Sequence, residues 1–467
     1  MRSLMLLVLI PFIMLLTKTA FPQDEIQPYT NNPYYWQYKG EPVMLVGGSK
    51  DDNLFQINNL VDHLDLMQQV GANYIRNTMS SRDEGNLRAF KRLPNGKYDL
   101  DQWNQEYWDK FEQLIEETAK RDIFVQIEFW DQHDYNRGRW DDNPWNPDQN
   151  INYSVSKTQL KGDGHYAEVG ASGGGTMDFF QTVPNLQNDR QVLRYQQKFV
   201  DKVLSCTFQY NHVLYTITNE LFKQHSPKWS WSWAEYIHDK AAEAGVDVQV
   251  TEMLQADDVH HKDHRVTLDH PETFTYVDMS QNSTKENDLH WNNLQWVRDY
   301  VSNPVRPINH TKTYGGDEVG WTDGDEHGIE RFWRNIIGGA ASVRFHRPPA
   351  GIGLNERAQN QIRSARMLLN EINIFKSKPD AEHRLLSGRD PDEAYLTYNP
   401  GKTYALYFPE GGSVELDLSE ASGTFLIRWL NIEKCKWTKE SKLQGGRQVT
   451  LDIPEQGKNR AAVIIKQ

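Results

Sequence analysis

Between Val43 and Ile372, short apolar, β-branched runs alternate with amphipathic stretches of helical period. That alternation restricts the chain to a parallel sheet wrapped in helices. The runs are Val43 to Val46 (closing on Gly47-Gly48), Ala72 to Asn77, Ile123 to Phe129, His212 to Thr218, Asp247 to Glu252, Phe274 to Met279, Pro307 to Thr313 and Ala341 to Phe345. Helical patterns cover Asn58 to Val70, Trp108 to Arg121, Asp189 to Ser205, Trp233 to Ala244, Leu289 to Val301, Gly328 to Ile337 and Glu356 to Ile372. Eight strands, each followed by a helix or a helix-length gap, predict a closed (β/α)8 barrel, a TIM barrel of the α/β class. An open doubly wound sheet is the alternative, but no GxGxxG or GxxxxGK[ST] follows any strand.

One connection breaks the rhythm. Residues Trp130 to Asn188 form a polar segment carrying Trp140, Trp145 and the run GASGGGT. It is too long for a plain connection and is expected to wall substrate subsites. Beyond Lys378 the period changes to short alternating runs such as YLTYN, TYALYF, SVELDL and AAVIIK, separated by turn residues. These predict an all-β sandwich of six to eight strands that buttresses the barrel. The expected organisation is a barrel over 24–378 and a sandwich over 379–467. Before them, residues 1–23 read as an export signal: Met1-Arg2-Ser3, an unbroken apolar run from Leu4 to Leu16, and a small residue at Ala20. A soluble exported chain, periplasmic or secreted and cut near residues 20–23, is the expectation, with no membrane span in its mature part.

Charge and composition narrow the function. With 51 basic and 64 acidic side chains, the net charge of −13 offers no footprint for a nucleic-acid backbone. Aromatic residues make up 12% of the chain, which suits stacking against sugar rings as well as a large core. Cys206 and Cys435 lack metal-ligand spacing and read as small hydrophobes. His260, His261, His264 and His270 lack a helical ligand frame. No metal or cofactor is expected.

Barrel chemistry sits where strands end at the C-terminal face. The fourth strand closes on Asn219-Glu220, and a carboxylate where an apolar strand meets the mouth must be hydrogen-bonded or in use. The third strand adds Glu128 and Trp130 on one face and Asp131 at its end, and Glu252 ends the fifth. The eighth brings Arg344, His346 and Arg347 to the rim.

Asn219-Glu220 and, at the end of the second strand, Arg76 resemble the clan of retaining (β/α)8 glycoside hydrolases. The barrel is most similar to cellulase-like and apiosidase-like members. The segment from Tyr404 to Asn431 resembles the C-terminal β-domain, labelled collagen-binding, that accompanies them. The resemblance implies Glu220 as general acid/base cleaving poly- or oligosaccharides, with Asn219 and Arg76 orienting the sugar. By their place at strand ends, Asn77, Trp130, Asp131, Lys312 and His346 are further candidates for binding it, Lys312 through an acidic sugar's carboxylate. The seventh strand departs from the clan pattern, because the position expected for the nucleophilic Glu holds Lys312. The next carboxylates, Asp317 and Glu318, follow a Gly-Gly turn and are the candidates for the nucleophile. Asp131 is the candidate base should the enzyme invert. A non-catalytic carbohydrate-binding barrel and a uronate-directed polysaccharide lyase, with Lys312 or a Tyr as base, stand as alternatives.

Overall fold

A computed structural model describes residues 24–467 apart from Arg137, 167–176, Lys223, Gln224, Glu318, Trp321 and 455–456. The export-signal segment and the candidate nucleophile Glu318 lie outside the described residues.

Eight parallel strands form the barrel: β1 (Leu45–Gly48), β2 (Tyr74–Thr78), β3 (Phe124–Asp131), β4 (Val213–Asn219), β5 (Val250–Thr251), β6 (Val277–Asp278), β7 (Ile308–Thr313) and β8 (Ser342–Phe345). Each hydrogen-bonds to its neighbour in the order β5-β4-β3-β2-β1-β8-β7-β6. The seam between β5 and β6 is closed by Thr275 N donating to Val250 O at 3.0 Å and by Thr251 Oγ1 donating to Tyr276 O at 2.8 Å. The helices are α1 (Leu60–Val70), α2 (Gln105–Ala119), α3 (Arg190–Thr207), α4 (Pro227–Ala244), the single turn α5 (Arg265–Leu268), α6 (Asn287–Tyr300), α7 (Asp325–Ile337) and α8 (Glu356–Glu371). The closed barrel expected from the sequence is the fold.

Tyr74, Gln126, Thr216, Asp278, Asn309 and Thr311 fill the barrel interior with one hydrogen-bonded network. Gln126 Nε2 donates to Thr216 Oγ1 at 2.9 Å and to Asp278 Oδ2 at 3.0 Å, and Asn309 Nδ2 donates to Gln126 Oε1 at 3.0 Å. Below it an N-terminal hairpin (Trp36–Tyr38 with Glu41–Val43) carries Trp36, whose Nε1 donates to Asn309 Oδ1 at 2.9 Å and whose ring meets Tyr276 edge-on. The barrel is therefore a packed core with its floor closed, leaving the C-terminal end as the mouth.

Gly47 shows how tightly the strands seat. A Cβ added there would lie 1.9 Å from the Tyr74 carbonyl oxygen on the neighbouring strand. Backbone cannot yield as a flexible side chain does, so Gly47→Ala is expected to destabilise by about 3 kcal/mol. Its thermal midpoint should fall by roughly 3 °C, and a midpoint unchanged from wild type would refute this account of β1–β2 seating.

The chain continues into β9 (Lys378–Pro379), β10 (Leu386–Ser387), β11 (Tyr395–Asn399), β12 (Thr403–Phe408), β13 (Ser413–Asp417), β14 (Thr424–Asn431), β15 (Lys436–Gln444), β16 (Gln448–Asp452) and β17 (Arg460–Lys466). Six of them form a sheet in the order β9-β11-β12-β17-β14-β15, and the other three a sheet in the order β10-β13-β16. The all-β sandwich is as read from sequence, with two-residue strands raising the count above six to eight. Period two along β12 sends Tyr404, Leu406 and Phe408 into the core between the sheets, and Ala405 and Tyr407 into the core shared with the barrel helices. Tyr407 stacks on Trp333 of α7 at 5.6 Å, and Arg428 pairs with Glu371 of α8 at 2.6 Å. Both cysteines are free; Cys206 is buried and Cys435, expected inside, is half-buried with its Sγ on Asn360 O.

Burial also sets the pH response of the fold. His63, His212, His225 and His310 are each pushed down to about 4 by burial. Their folded values lie below the unfolded value of about 6.5. The stability they supply is therefore complete above that pH and lost as pH falls towards 4. Glu252 runs the other way: burial lifts it to about 8, so its contribution fades as pH rises from the acid range to 8. Four groups outweigh one below pH 6.5. The thermal midpoint should peak near pH 6.5 and fall more steeply towards 4 than towards 8, and a scan flat between 6.5 and 4 would contradict the assignment.

Candidate active site

Glu220 follows β4 with φ of +57°, a left-handed backbone that costs a non-glycine residue about 1–2 kcal/mol. Its surroundings hold it there. Gln132 Nε2 donates to the Glu220 carbonyl while Gln132 Oε1 accepts from Phe222 N at 2.9 Å, and Leu221 N donates to Met253 O at 2.8 Å. The kink aims the carboxylate into the mouth, where its side chain is 15% exposed. Strain of this kind, over-determined by its neighbours, clusters at functional sites.

The two carboxylate oxygens meet different partners. Oε1 accepts from Lys312 Nζ at 2.5 Å, Tyr314 Oη at 2.8 Å and Gln281 Nε2 at 3.0 Å. Oε2 faces His133 Nε2 at 3.3 Å. Burial pushes Glu220 up, but Lys312 and His133 outweigh it and hold the carboxyl well below the usual carboxylate range. Lys312 is itself lowered by burial, with Glu220 pulling it back up. Its Nζ also donates to Asn219 Oδ1 at 2.7 Å.

Lys312 reaches the mouth through an irregularity. Asn309 and Thr311 face the barrel interior, so strict alternation would turn Lys312 outward with His310. The β7–β8 register shifts between His310 and Thr313, and the extra twist brings Lys312 inward as well.

Beside this cluster lies an ionic shell around Asp52, in the loop after β1. Arg76 Nη1 lies 2.7 Å from Asp52 Oδ1 and Arg76 Nε donates to Glu128 Oε1 at 2.7 Å. Arg347 Nε donates to Asp52 Oδ2 at 3.0 Å, and Arg344 and Arg82 each approach Asp52 at 3.5 Å. His346 Nδ1 is 3.7 Å from Asp52, with its ring edge-on to Tyr314. Burial raises Asp52, yet the surrounding cations hold it well below the carboxylate range. Asp131 pairs with Arg82 and caps its own turn by accepting from His133 N at 3.0 Å.

The structure thus joins Asn219, Glu220 and Lys312 in direct contact and places Arg76, Asp131 and His346 in the shell around them. Three sequence candidates sit elsewhere. Asn77 Oδ1 accepts from Phe55 N at 3.2 Å and anchors the turn after β1, with its amide donating to Thr78 O. Trp130 does not share a face with Glu128: alternation fails at the end of β3, and Trp130 is 2% exposed among Trp145, Phe179, Phe199, Trp229 and Trp233. Asp317 is exposed and exchanges backbone-to-carboxylate hydrogen bonds with Asp325 at the start of α7 (3.0 and 3.2 Å), so the Gly-Gly turn carries it away from Glu220. Trp140 and Trp145 are likewise buried, Trp140 against Tyr135 and Tyr166 of its own loop and Trp145 against Phe90, Trp130 and Phe199. Glu252 is buried, accepting from Thr218 N, Met253 N and Ser230 Oγ.

Sequence reading passed over Gln281, Asp52 and Arg82. Asp52 had a signal, as a carboxylate one turn beyond the first strand. Gln281, three residues past β6, had none but its place. Glu286, Asp323 and His327 bring metal-type ligand atoms within 4.8 Å of one another. There Arg331 Nη2 already supplies the cation, 3.1 Å from Asp323 and 3.6 Å from Glu286.

No family model and no curated protein matches the sequence. Solved structures do match. A glycoside hydrolase aligns with a TM-score of 0.65 at 12% identity, covering 96% of this chain and 99% of its own. A glycoside hydrolase family 5 protein from Bacteroides vulgatus aligns with a TM-score of 0.62 at 12% identity, covering 96% and 95%. The likeness is one of fold. It spans barrel and β-sandwich together. Among the described residues, no helix is long and apolar enough to cross a membrane.

Proposed function

We propose that the protein is an exported glycoside hydrolase that takes a poly- or oligosaccharide into the barrel mouth and uses Glu220 as its central carboxylate. The observation that carries this reading is Glu220 itself: an ionised, partly exposed carboxylate, fixed by four side-chain contacts on a strained backbone where a barrel strand ends. The full-length likeness to glycoside hydrolases supports it, as does the resemblance of the sandwich to the β-domain of cellulase-like and apiosidase-like proteins. Asn219, Arg76 and His346 are placed to orient sugar hydroxyls or the carboxylates beside them. In a retaining cycle the second carboxyl group would stand about 5–5.5 Å from Glu220, against about 6.5–9.5 Å in an inverting one. Of the strand-seven candidates, that role falls to Glu318.

Lys312 favours a second reading, a carbohydrate-binding barrel without turnover, because it occupies the strand-seven position where a nucleophile would stand. The lyase alternative loses Tyr314 as a base: burial and Glu220 hold its phenol well above its ordinary value, as a donor. The deciding experiment is reducing-end release from a panel of neutral and acidic plant and microbial glycans, with the anomer formed first read by NMR. Release of sugar supports the hydrolase, and binding without release supports the second reading.

A further inference from the structure

A hollow of about 190 Å³ lies outside the mouth, on the outer wall of the barrel between the first turns of α3 and the middle of α4. Both helices start at the C-terminal end of the barrel, so the hollow sits below the rim. Its floor is apolar: Leu193 and Trp233 are buried there. Tyr236 forms a wall, half-buried and edge-on to Trp233 at 5.6 Å. Its Oη donates to Asp201 Oδ1 at 2.8 Å, which fixes the ring against the helix pair. The polar edge carries Asn185, Gln197, Glu235 and Asp239, and no Lys, Arg or His lines the hollow among the described residues. Trp233 Nε1–H is buried without a hydrogen-bond partner there.

We propose that this hollow is a carbohydrate site separate from the mouth, seating one neutral sugar unit of an oligo- or polysaccharide. Size sets the first limit. Sites for drug-sized ligands run to about 300–1,000 Å³, so this one has room for a single ring rather than an extended ligand. Its surface chemistry sets the second. A sugar ring presents an apolar C–H face ringed by hydroxyls, and a fixed, half-buried tyrosine offers a flat apolar surface with a polar tip to match it. The amides of Asn185 and Gln197 both donate and accept, while the carboxylates of Glu235 and Asp239 accept from hydroxyl donors. Neither carboxylate takes part in an ion pair among the described residues, so both keep their acceptors. Two carboxylates without a cation repel a uronate or a phosphate, which leaves neutral sugars as the class that fits. The site stands whether or not the mouth turns its ligand over.

The test is indole ¹H–¹⁵N NMR on Glu220→Gln, with the Trp233 signal assigned by its loss on adding Trp233→Phe. The probes are neutral gluco-, manno-, xylo- and galacto-configured oligosaccharides, with oligogalacturonate as the acidic one. At least one neutral series should move the Trp233 signal saturably, and oligogalacturonate should not. Tyr236→Ala should weaken that binding about tenfold. Asp239→Ala, at an exposed position that leaves the fold intact, should weaken it about threefold. A Trp233 signal that no neutral probe moves overturns the proposal. So does one moved by oligogalacturonate alone, or binding unchanged in both variants. Reducing-end release by wild type judges the mouth separately: release without a Trp233 shift overturns only this site, and a shift without release overturns only the hydrolase.

Discussion

Glu220→Gln is expected to lower kcat by about 10³-fold or more, with far less effect on KM. The substitution keeps the shape of the side chain and removes the charge on which the whole mouth is organised. Lys312, 2% exposed, then loses the carboxylate 2.5 Å from its Nζ and is left with uncharged acceptors such as the Asn219 amide oxygen. His133 loses the anion that offsets its burial. Asp317→Asn is the informative companion. Asp317 belongs to the loop before α7 and bonds to Asp325, so turnover should stay within about twofold of wild type. If Asp317→Asn abolished activity while Glu220→Gln did not, the assignment of the mouth would be wrong. Turnover is best measured on one chromogenic or reducing-end substrate for both variants, with circular dichroism confirming that each is folded.

Asp52→Asn should produce the largest loss of stability among isosteric changes at the mouth. Asp52 is 1% exposed and is the shared anion of Arg76, Arg82, Arg344 and Arg347. Two of these, Arg76 and Arg344, are themselves fully buried. Removing one partner of a buried ionic cluster leaves uncompensated charge and typically costs about 3–5 kcal/mol. In a chain of this size that corresponds to a drop in thermal midpoint of roughly 3–5 °C. Arg347→Gln, at a side chain 22% exposed, should cost less than about 1 kcal/mol, since solvent screens what it loses. Equal effects of the two substitutions would refute the view that Asp52 is the hub. Because Arg76 also holds Glu128 on β3, the Asp52 variant should lose activity as well as stability.

Most of the barrel could be read from sequence because its signal is periodic. Eight apolar runs and the helices between them are enforced by burial on both faces of a parallel sheet. The end of β4 was legible for the same reason, since Asn219-Glu220 interrupts an apolar strand where only function or hydrogen bonding tolerates a carboxylate. What stayed hidden is set by local departures from the period. Alternation placed Trp130 beside Glu128, but the last turn of β3 packs both Phe129 and Trp130 towards the helical layer, with Phe129 stacked on Tyr215. Lys312 was noticed as an intruder, and only the register shift in β7 explains how it meets Glu220. Gln281 and Arg82 come from loops after β6 and β2, far apart in sequence, and no spacing rule joins them to residue 220. The tryptophans of the long loop are recruited to the core instead: Trp140 packs on Tyr135 and Tyr166, and Trp145 joins the aromatic layer with Phe90, Trp130 and Phe199.

The six-stranded sheet has no solvent face over much of its width, being covered by β10, β13 and β16 on one side and by α7 and α8 on the other. Cutting the chain after α8 would strip cover from Trp333 and the neighbouring helix faces, and the released sandwich would expose Tyr407, Leu430, Ile432 and Val463. Neither piece is a free-standing module. Shuffling this β-domain onto another catalytic unit, by recombination or by design, requires a host whose last two helices already carry the matching surface. The pair is therefore expected to melt as one body.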